Sequence, residues 1–173
     1  KKGTSTLEEA EILRMFPSFV WKTQLKQDII QRVSQDVVSA LELLRQAKPG
    51  LESSLSWQSD HDLYQSERFE QLSSSIQEAV TKVFEFLKIA DTPFVMTGLW
   101  ANMNAPGSSH KMHNHPNNVL SGVYYAQTGK GADTINFHDP RLQKDVIKPP
   151  VTELTADNTD QVVVTVNDGT LLV

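Results

Sequence analysis

Apolar residues recur at two different periods along this chain, and the change of period divides it near residue 93. Between Lys26 and Ala47, the residues Ile29, Ile30, Val33, Val37, Val38, Leu41 and Leu44 follow one another mainly at intervals of three and four. That spacing lines up one face of a 3.6-residue helix, and Pro49-Gly50 supplies its stop signal. Ser66–Leu87 repeats the pattern with Phe69, Leu72, Ile76, Val80, Val83, Phe84 and Leu87. Two amphipathic helices are therefore predicted. Ahead of them, Phe16–Thr23 alternates weakly and is rich in strand formers, which predicts a strand near 18–24. Between them, Leu51–Tyr64 is polar and serine-rich and reads as a loop holding Trp57 and the pair His61-Asp62. Asp91-Thr92-Pro93 reads as a turn.

From Phe94 the helical period gives way to short runs of strand formers. Residues 94–104, 119–127, 134–138, 151–154, 161–166 and 170–173 read as strands divided by Gly, Pro, Asn and Asp. A helical half followed by an all-β half predicts an α+β fold: a jelly roll, or double-stranded β-helix, with two amphipathic helices packed on one sheet face. Covering that face also shields it from edge-on association. The expected organisation is a flexible arm over 1–14, then one domain over 15–173. Within it, 15–92 forms a helical support and 93–173 the β core. The sequence ends on Asp168-Gly169-Thr170-Leu171-Leu172-Val173, a turn and the opening of a strand. The expectation is that the chain continues and that functional residues lie further on.

Composition narrows the partners. Lys+Arg 16 against Asp+Glu 21 gives a formal charge of −5 with no basic run, so neither nucleic acid nor an anionic membrane surface is expected. Cysteine is absent, which removes disulfides and thiolate chemistry and fits a reducing, cytoplasmic setting. No apolar run approaches the roughly 20 residues of a membrane span.

Three of the five histidines fall within six residues, His110-Lys111-Met112-His113-Asn114-His115. His113 and His115 are two apart, so extended backbone turns them to the same side. Imidazole is a common ligand for transition metals, and two on one side converge on a point. Pro106-Gly107-Ser108-Ser109 precedes the cluster, and Pro116-Asn117-Asn118 bends the chain away into Val119–Tyr125.

The segment from Trp100 to Arg141 resembles the iron(II)- and 2-oxoglutarate-dependent dioxygenases of the double-stranded β-helix fold, within them the small branch related to prolyl hydroxylases. Their Tyr-x-x-Gly-x-x-Tyr-x-x-His-x-Asp spacing appears here from Asn104 to His115. Gly107 and His113 match outright. Asn104 and His110 stand at the aromatic positions, and His115 stands at the carboxylate ligand. Leu120–Tyr125 and Gly131–Phe137 follow as the family's next two strands do, and His138-Asp139-Pro140-Arg141 is similar to the branch's closing motif.

The resemblance implies Fe(II) and 2-oxoglutarate as cofactors. It makes His113 a metal ligand and His115 a second one, with Asp139 or no carboxylate as the alternative to His115. A three-histidine site is chemically reasonable, because neutral imidazole suits iron. The distal histidine of the family and the Arg or Lys that grips the far carboxylate of 2-oxoglutarate are expected beyond Val173. His110 is positioned to bond the oxoacid or to remain a solvated loop histidine. Tyr124 and Tyr125 have opposite strand parity, so one of them can face the barrel mouth and offer its hydroxyl to the oxoacid. Asn102 can reach either face, whereas Trp100 reads as core. Arg141 and Asp139 either hold a small-molecule or peptide substrate or form a structural turn. His61 reads as loop structure, far from the cluster. Two other functions compete: a cupin-like three-histidine dioxygenase or isomerase that uses no oxoacid, and a non-enzymatic jelly-roll binding module.

Overall fold

In a computed structural model, residues 8–47, 56–141 and 147–173 are described. The Pro49-Gly50 stop and the first seven residues of the expected arm lie outside them. Residues 8–15 form no helix or strand and are exposed.

Both predicted helices form. Helix α1 spans Gln27–Ala47 and buries Ile30, Val33, Val37, Ala40 and Leu41 along one stripe. Helix α2 spans Glu70–Leu87 and buries Leu72, Ala79 and Val83. Two short 3₁₀ turns, Leu63–Gln65 and Glu67–Phe69, lead into it. It ends where Lys88 adopts a left-handed conformation (φ 55°) and the Ile89 N–H reaches back to the Phe84 carbonyl at 3.0 Å. That cap satisfies carbonyls which the helix itself leaves unpaired. Val33, Val37, Ala40, Leu41, Trp57, Leu63, Phe69 and Leu72 make one apolar cluster. Burying each large side chain contributes on the order of 1.5–3 kcal/mol before entropy is charged against it. Among the described residues, no helix is long and apolar enough to cross a membrane.

The β half is divided into small antiparallel sheets. Strands β1 (Lys22–Gln24), β4 (Val123–Tyr124) and β7 (Thr170–Leu172) form one sheet in the order β1-β7-β4. Strands β2 (Ser56–Gln58) and β3 (Asn102–Asn104) form a second, and β5 (Thr134–His138) and β6 (Gln161–Thr165) a third. The chain is thus mixed α/β, with two helices and small sheets. Among the described residues the strands do not join into one closed double sheet.

Several expected strands are shorter than the sequence suggested. The run 94–104 is reduced to β3: Val95 is open to solvent, and Phe94 packs against Phe84 of α2 (ring centroids 5.3 Å apart) instead of pairing in a sheet. The run 119–127 is reduced to β4, after Asn117 turns left-handed (φ 68°). No strand forms at 151–154. Asn158 donates to the Glu153 carbonyl (2.9 Å) and accepts from the Thr155 N–H (2.7 Å). These local bonds replace a strand ladder with a turn. Conversely, the expected loop 51–64 contains β2, whose Trp57 is a core residue.

Two glycines are required by the sheet around β7. Gly169 has φ +83°, and a Cβ there would lie 2.4 Å from Ile30 of α1. At Gly122 a Cβ would lie 2.6 Å from the Leu172 carbonyl oxygen. Both positions let backbone approach more closely than any other residue would allow.

Candidate metal site

The β2–β3 ribbon has two unlike faces. Trp57 pairs with Met103, and Met103 and Ala101 pack against the apolar cluster. Gln58 pairs with Asn102, and both remain exposed. Alternation along a strand separates the two sets. Just before β3, Leu99 exchanges backbone hydrogen bonds with the His61 segment: the Leu99 N–H donates to the His61 carbonyl at 3.0 Å, and the Leu63 N–H to the Leu99 carbonyl at 3.1 Å. This clamp brings His61 onto Trp100, with ring centroids 4.6 Å apart and planes 22° from parallel.

The histidine run also approaches Trp100. It has no ladder bonds and leaves β3 through the Pro106-Gly107 turn. The His115 ring sits 5.7 Å from Trp100, His113 4.8 Å from His115, and His110 4.8 Å from His113. Four of the five histidines therefore join one array of rings. His115 is half-buried, and His113 and His110 are exposed.

The decisive geometry is between His113 and His115. Their Nε2 atoms are 3.1 Å apart. His113 Nδ1 lies 2.8 Å from the Lys111 carbonyl oxygen. A carbonyl only accepts, so Nδ1 donates to it, and Nε2 is the ring nitrogen that faces His115. Metal-binding histidines are oriented by this kind of backbone bond. Two imidazole nitrogens in adjacent positions on one ion, each about 2.1 Å from it, stand roughly 3.0 Å apart. The pair fits a borderline transition metal, for which imidazole is a suitable ligand. Among the described residues no third His, Cys, Asp or Glu completes a three-donor group with the pair.

The remaining candidates are distributed differently. Asn102 lies on the exposed face of the ribbon that also carries Gln58. The Tyr124 hydroxyl is 3.0 Å from Ser34 Oγ on α1, so this ring faces the helix. Burial pushes its pKa up, partly offset by the Ser34 hydrogen bond. Tyr125, on the opposite parity, is half-buried and raised by burial alone. Its N–H bonds the Thr170 carbonyl at 2.9 Å, and its carbonyl accepts from Gly169 at 2.7 Å. Arg141 forks onto Asp139, with Nε to Oδ1 at 2.9 Å and Nη2 to Oδ2 at 2.7 Å, and its backbone N–H also donates to Oδ1 at 3.0 Å. That carboxylate raises the guanidinium pKa further. The pair closes a local turn across Pro140, and its charges are matched with each other.

Sequence reasoning placed Trp100 in the core and His61 apart from the cluster. Trp100 is only partly buried; it stacks with His61 and meets the His115 ring at a tilt. The available signal was the alternation Ser56-Trp57-Gln58, one large apolar residue between polar ones. Read as a strand, it pairs against 102–104 and carries His61 to the site.

A family model described as "Putative 2OG-Fe(II) oxygenase" matches residues 98–173. It covers the histidine array from Gly98 onward, with β3 to β7. The match takes in less than half of the chain and is a similarity to that family over residues 98–173. The matched region contains Trp100 and the three clustered histidines, while His61 and both helices come from the preceding half. No curated protein and no solved structure matches the chain. The family implies Fe(II) and 2-oxoglutarate, an oxidoreductase chemistry, and the His113–His115 pair is compatible with that metal.

Proposed function

We propose that the chain is an iron(II)- and 2-oxoglutarate-dependent oxygenase that hydroxylates a small-molecule or peptide substrate in the cytoplasm. The single observation that supports this most is the 3.1 Å approach of the His113 and His115 Nε2 atoms, with the His113 tautomer set by the Lys111 carbonyl. When bound, Fe(II) and 2-oxoglutarate supply O₂-driven hydroxylation of a C–H bond, with the oxoacid decarboxylated to succinate. His113 and His115 hold the metal through Nε2. Both are neutral, so they leave the full charge of the ion to attract an anionic oxoacid.

His110, beside His113, and Asn102, on the exposed ribbon face, are the groups assigned to the oxoacid, with Tyr125 as a further hydroxyl. Tyr124 is the weaker candidate because its hydroxyl already bonds Ser34. Arg141 and Asp139 are assigned to the substrate, with Arg141 exchanging its partner for an anionic group. The three small sheets are read as arcs of a double-stranded β-helix whose core, 93–173, is joined by β1 and β2 and supported by the helices of 15–92 in one domain. The negative net charge argues against a nucleic-acid substrate.

The test is succinate formation from 2-oxoglutarate by tag-free protein with Fe(II) and ascorbate. His113→Ala is expected to abolish it, and His115→Ala to reduce it at least as far as the signal allows. Fe(II) binding without oxoacid turnover would favour a cupin-like metal enzyme. No metal uptake would leave a binding module.

A further inference from the structure

We propose that Trp100 is the positioning residue for the His115 imidazole, with His61 stacked on the same indole. This inference rests on reading His113 and His115 as a metal site and adds what holds the second of them in place. The two imidazoles are oriented in different ways. His113 has the Lys111 carbonyl on Nδ1 at 2.8 Å. His115 has no such carbonyl among the described residues; its polar contact is Nε2 to His113. A half-buried ring on a stretch without ladder bonds needs another constraint, and the Trp100 ring lies beside it, centroids 5.7 Å apart and planes tilted by 31°.

Trp100 is itself fixed. It lies two residues before β3, and it stacks with His61 at 4.6 Å and 22°. His61 is clamped through its backbone to Leu99, and through its ring to Gln58, whose amide nitrogen lies 3.1 Å from His61 Nε2. An amide nitrogen only donates, so His61 Nε2 accepts and its proton sits on Nδ1. The resulting stack runs from Gln58 through His61 and Trp100 to His115. It ties the exposed site to a ribbon whose opposite face is the protein's core. Ring contacts of this kind constrain tilt and offset together, which an aliphatic side chain cannot do.

The experiment uses the tag-free chain and Co²⁺, which does not turn over with O₂. Affinity is read by calorimetry and the position of the ion by quenching of tryptophan fluorescence. Wild type should bind Co²⁺ with quenching, and His113→Ala should remove both. Trp100→Leu should lower affinity about 10-fold, the usual scale for losing a group that orients a ligand. Trp100→Phe should keep affinity within about 3-fold while losing most of the quenching, because a flat ring remains but the fluorophore is gone. His61→Ala should weaken binding by a smaller factor and keep the quenching. Unchanged affinity in both Trp100→Leu and His61→Ala, alongside normal wild-type binding, would overturn the positioning role and leave the metal site standing. A wild type that binds no Co²⁺, or binds it equally well without His113, would remove the metal site and this role with it. If Trp100→Leu does not fold, Trp100→Phe and His61→Ala still decide: a loss greater than 10-fold in the phenylalanine variant counts against ring stacking as the cause.

Discussion

Strand β7 and the histidine run are opposite extremes of the same half of the chain. In β7, Thr170, Leu171 and Leu172 are 0%, 1% and 2% exposed, with β1 on one edge and β4 on the other. Residues 110–115 have no ladder partner, and His115 alone among their imidazoles is half-buried. The strand derives its order from burial on all sides, and the run derives its order from rings and one carbonyl. The difference teaches where energy and chemistry sit. Stability is concentrated in segments that touch no ligand, whereas the site occupies backbone of low local stability, held in shape by a few contacts. Substitutions in the two regions should therefore separate folding from function.

The largest effect is expected at β7. Leu171→Ala removes a fully enclosed side chain and should cost about 2–5 kcal/mol of stability. For a chain of this size that is a fall in Tm of roughly 5–15 °C, measured by thermal unfolding. Below the transition, Co²⁺ affinity should remain close to that of wild type. A variant that keeps its Tm, or that loses metal affinity while folded, breaks the separation from the stability side.

His113→Ala is the converse. Losing a ligand should reduce 2-oxoglutarate turnover by at least about 100-fold, the upper end of what outer contacts alone cost, or about 2.7 kcal/mol. His113 is exposed, so stability should change by less than about 0.5 kcal/mol and Tm by less than about 2 °C. A drop of many degrees would mean that the histidine run carries the fold, and that the two regions are not independent.

The same contrast explains what could be read from the sequence. Both helices were legible because burial of one face imposes a period that a single chain displays on its own: Ile30, Val33, Val37 and Leu41 are buried, as their spacing implies. Strand β5 was legible at its full length for a similar reason, since Thr134–His138 is bounded by Gly131 and Pro140. The histidine pair was legible from its two-residue spacing. Trp100 and His61 were not, because 39 residues separate them and their stack depends on a pairing between short strands. Turn chemistry around Asn158 decided the fate of 151–154, and side-chain bonds of that kind leave only a faint trace in hydropathy. Sheet edges are non-local, so the trimmed strands at Phe94 and Val119 needed partners that the sequence could not name.

A smaller effect sharpens the comparison at its boundary. Tyr124 lies on β4, beside β7, and its hydroxyl bonds Ser34 at 3.0 Å. Tyr124→Phe should cost about 1 kcal/mol, the net value of a hydrogen bond whose partner is left partly buried. Turnover of 2-oxoglutarate should not change. A rise in KM for the oxoacid would move Tyr124 from the supporting sheet into the site.

The smallest effect is a slope at alkaline pH. Burial raises the pKa of both Tyr124 and Tyr125 above the ordinary value of 10.0. Below that value both states hold the phenolic protons, and these groups give no pH dependence. Above it the unfolded chain releases its protons first, so the unfolded state binds fewer and stability falls as pH rises through the native-state values. Lys82 acts in the same direction, its pKa raised by the hydrogen bond and charge of Glu78. That pair is exposed and loses its contribution in salt, whereas the tyrosine contribution comes mainly from desolvation and persists. Denaturant unfolding between pH 9 and 11 in high salt should therefore keep part of its slope in wild type. The slope should be reduced in Tyr124→Phe and further in Tyr124→Phe/Tyr125→Phe. An unchanged slope in the double variant would mean that β4 is more open to water than β7. The supporting sheet would then share the accessibility of the histidine run.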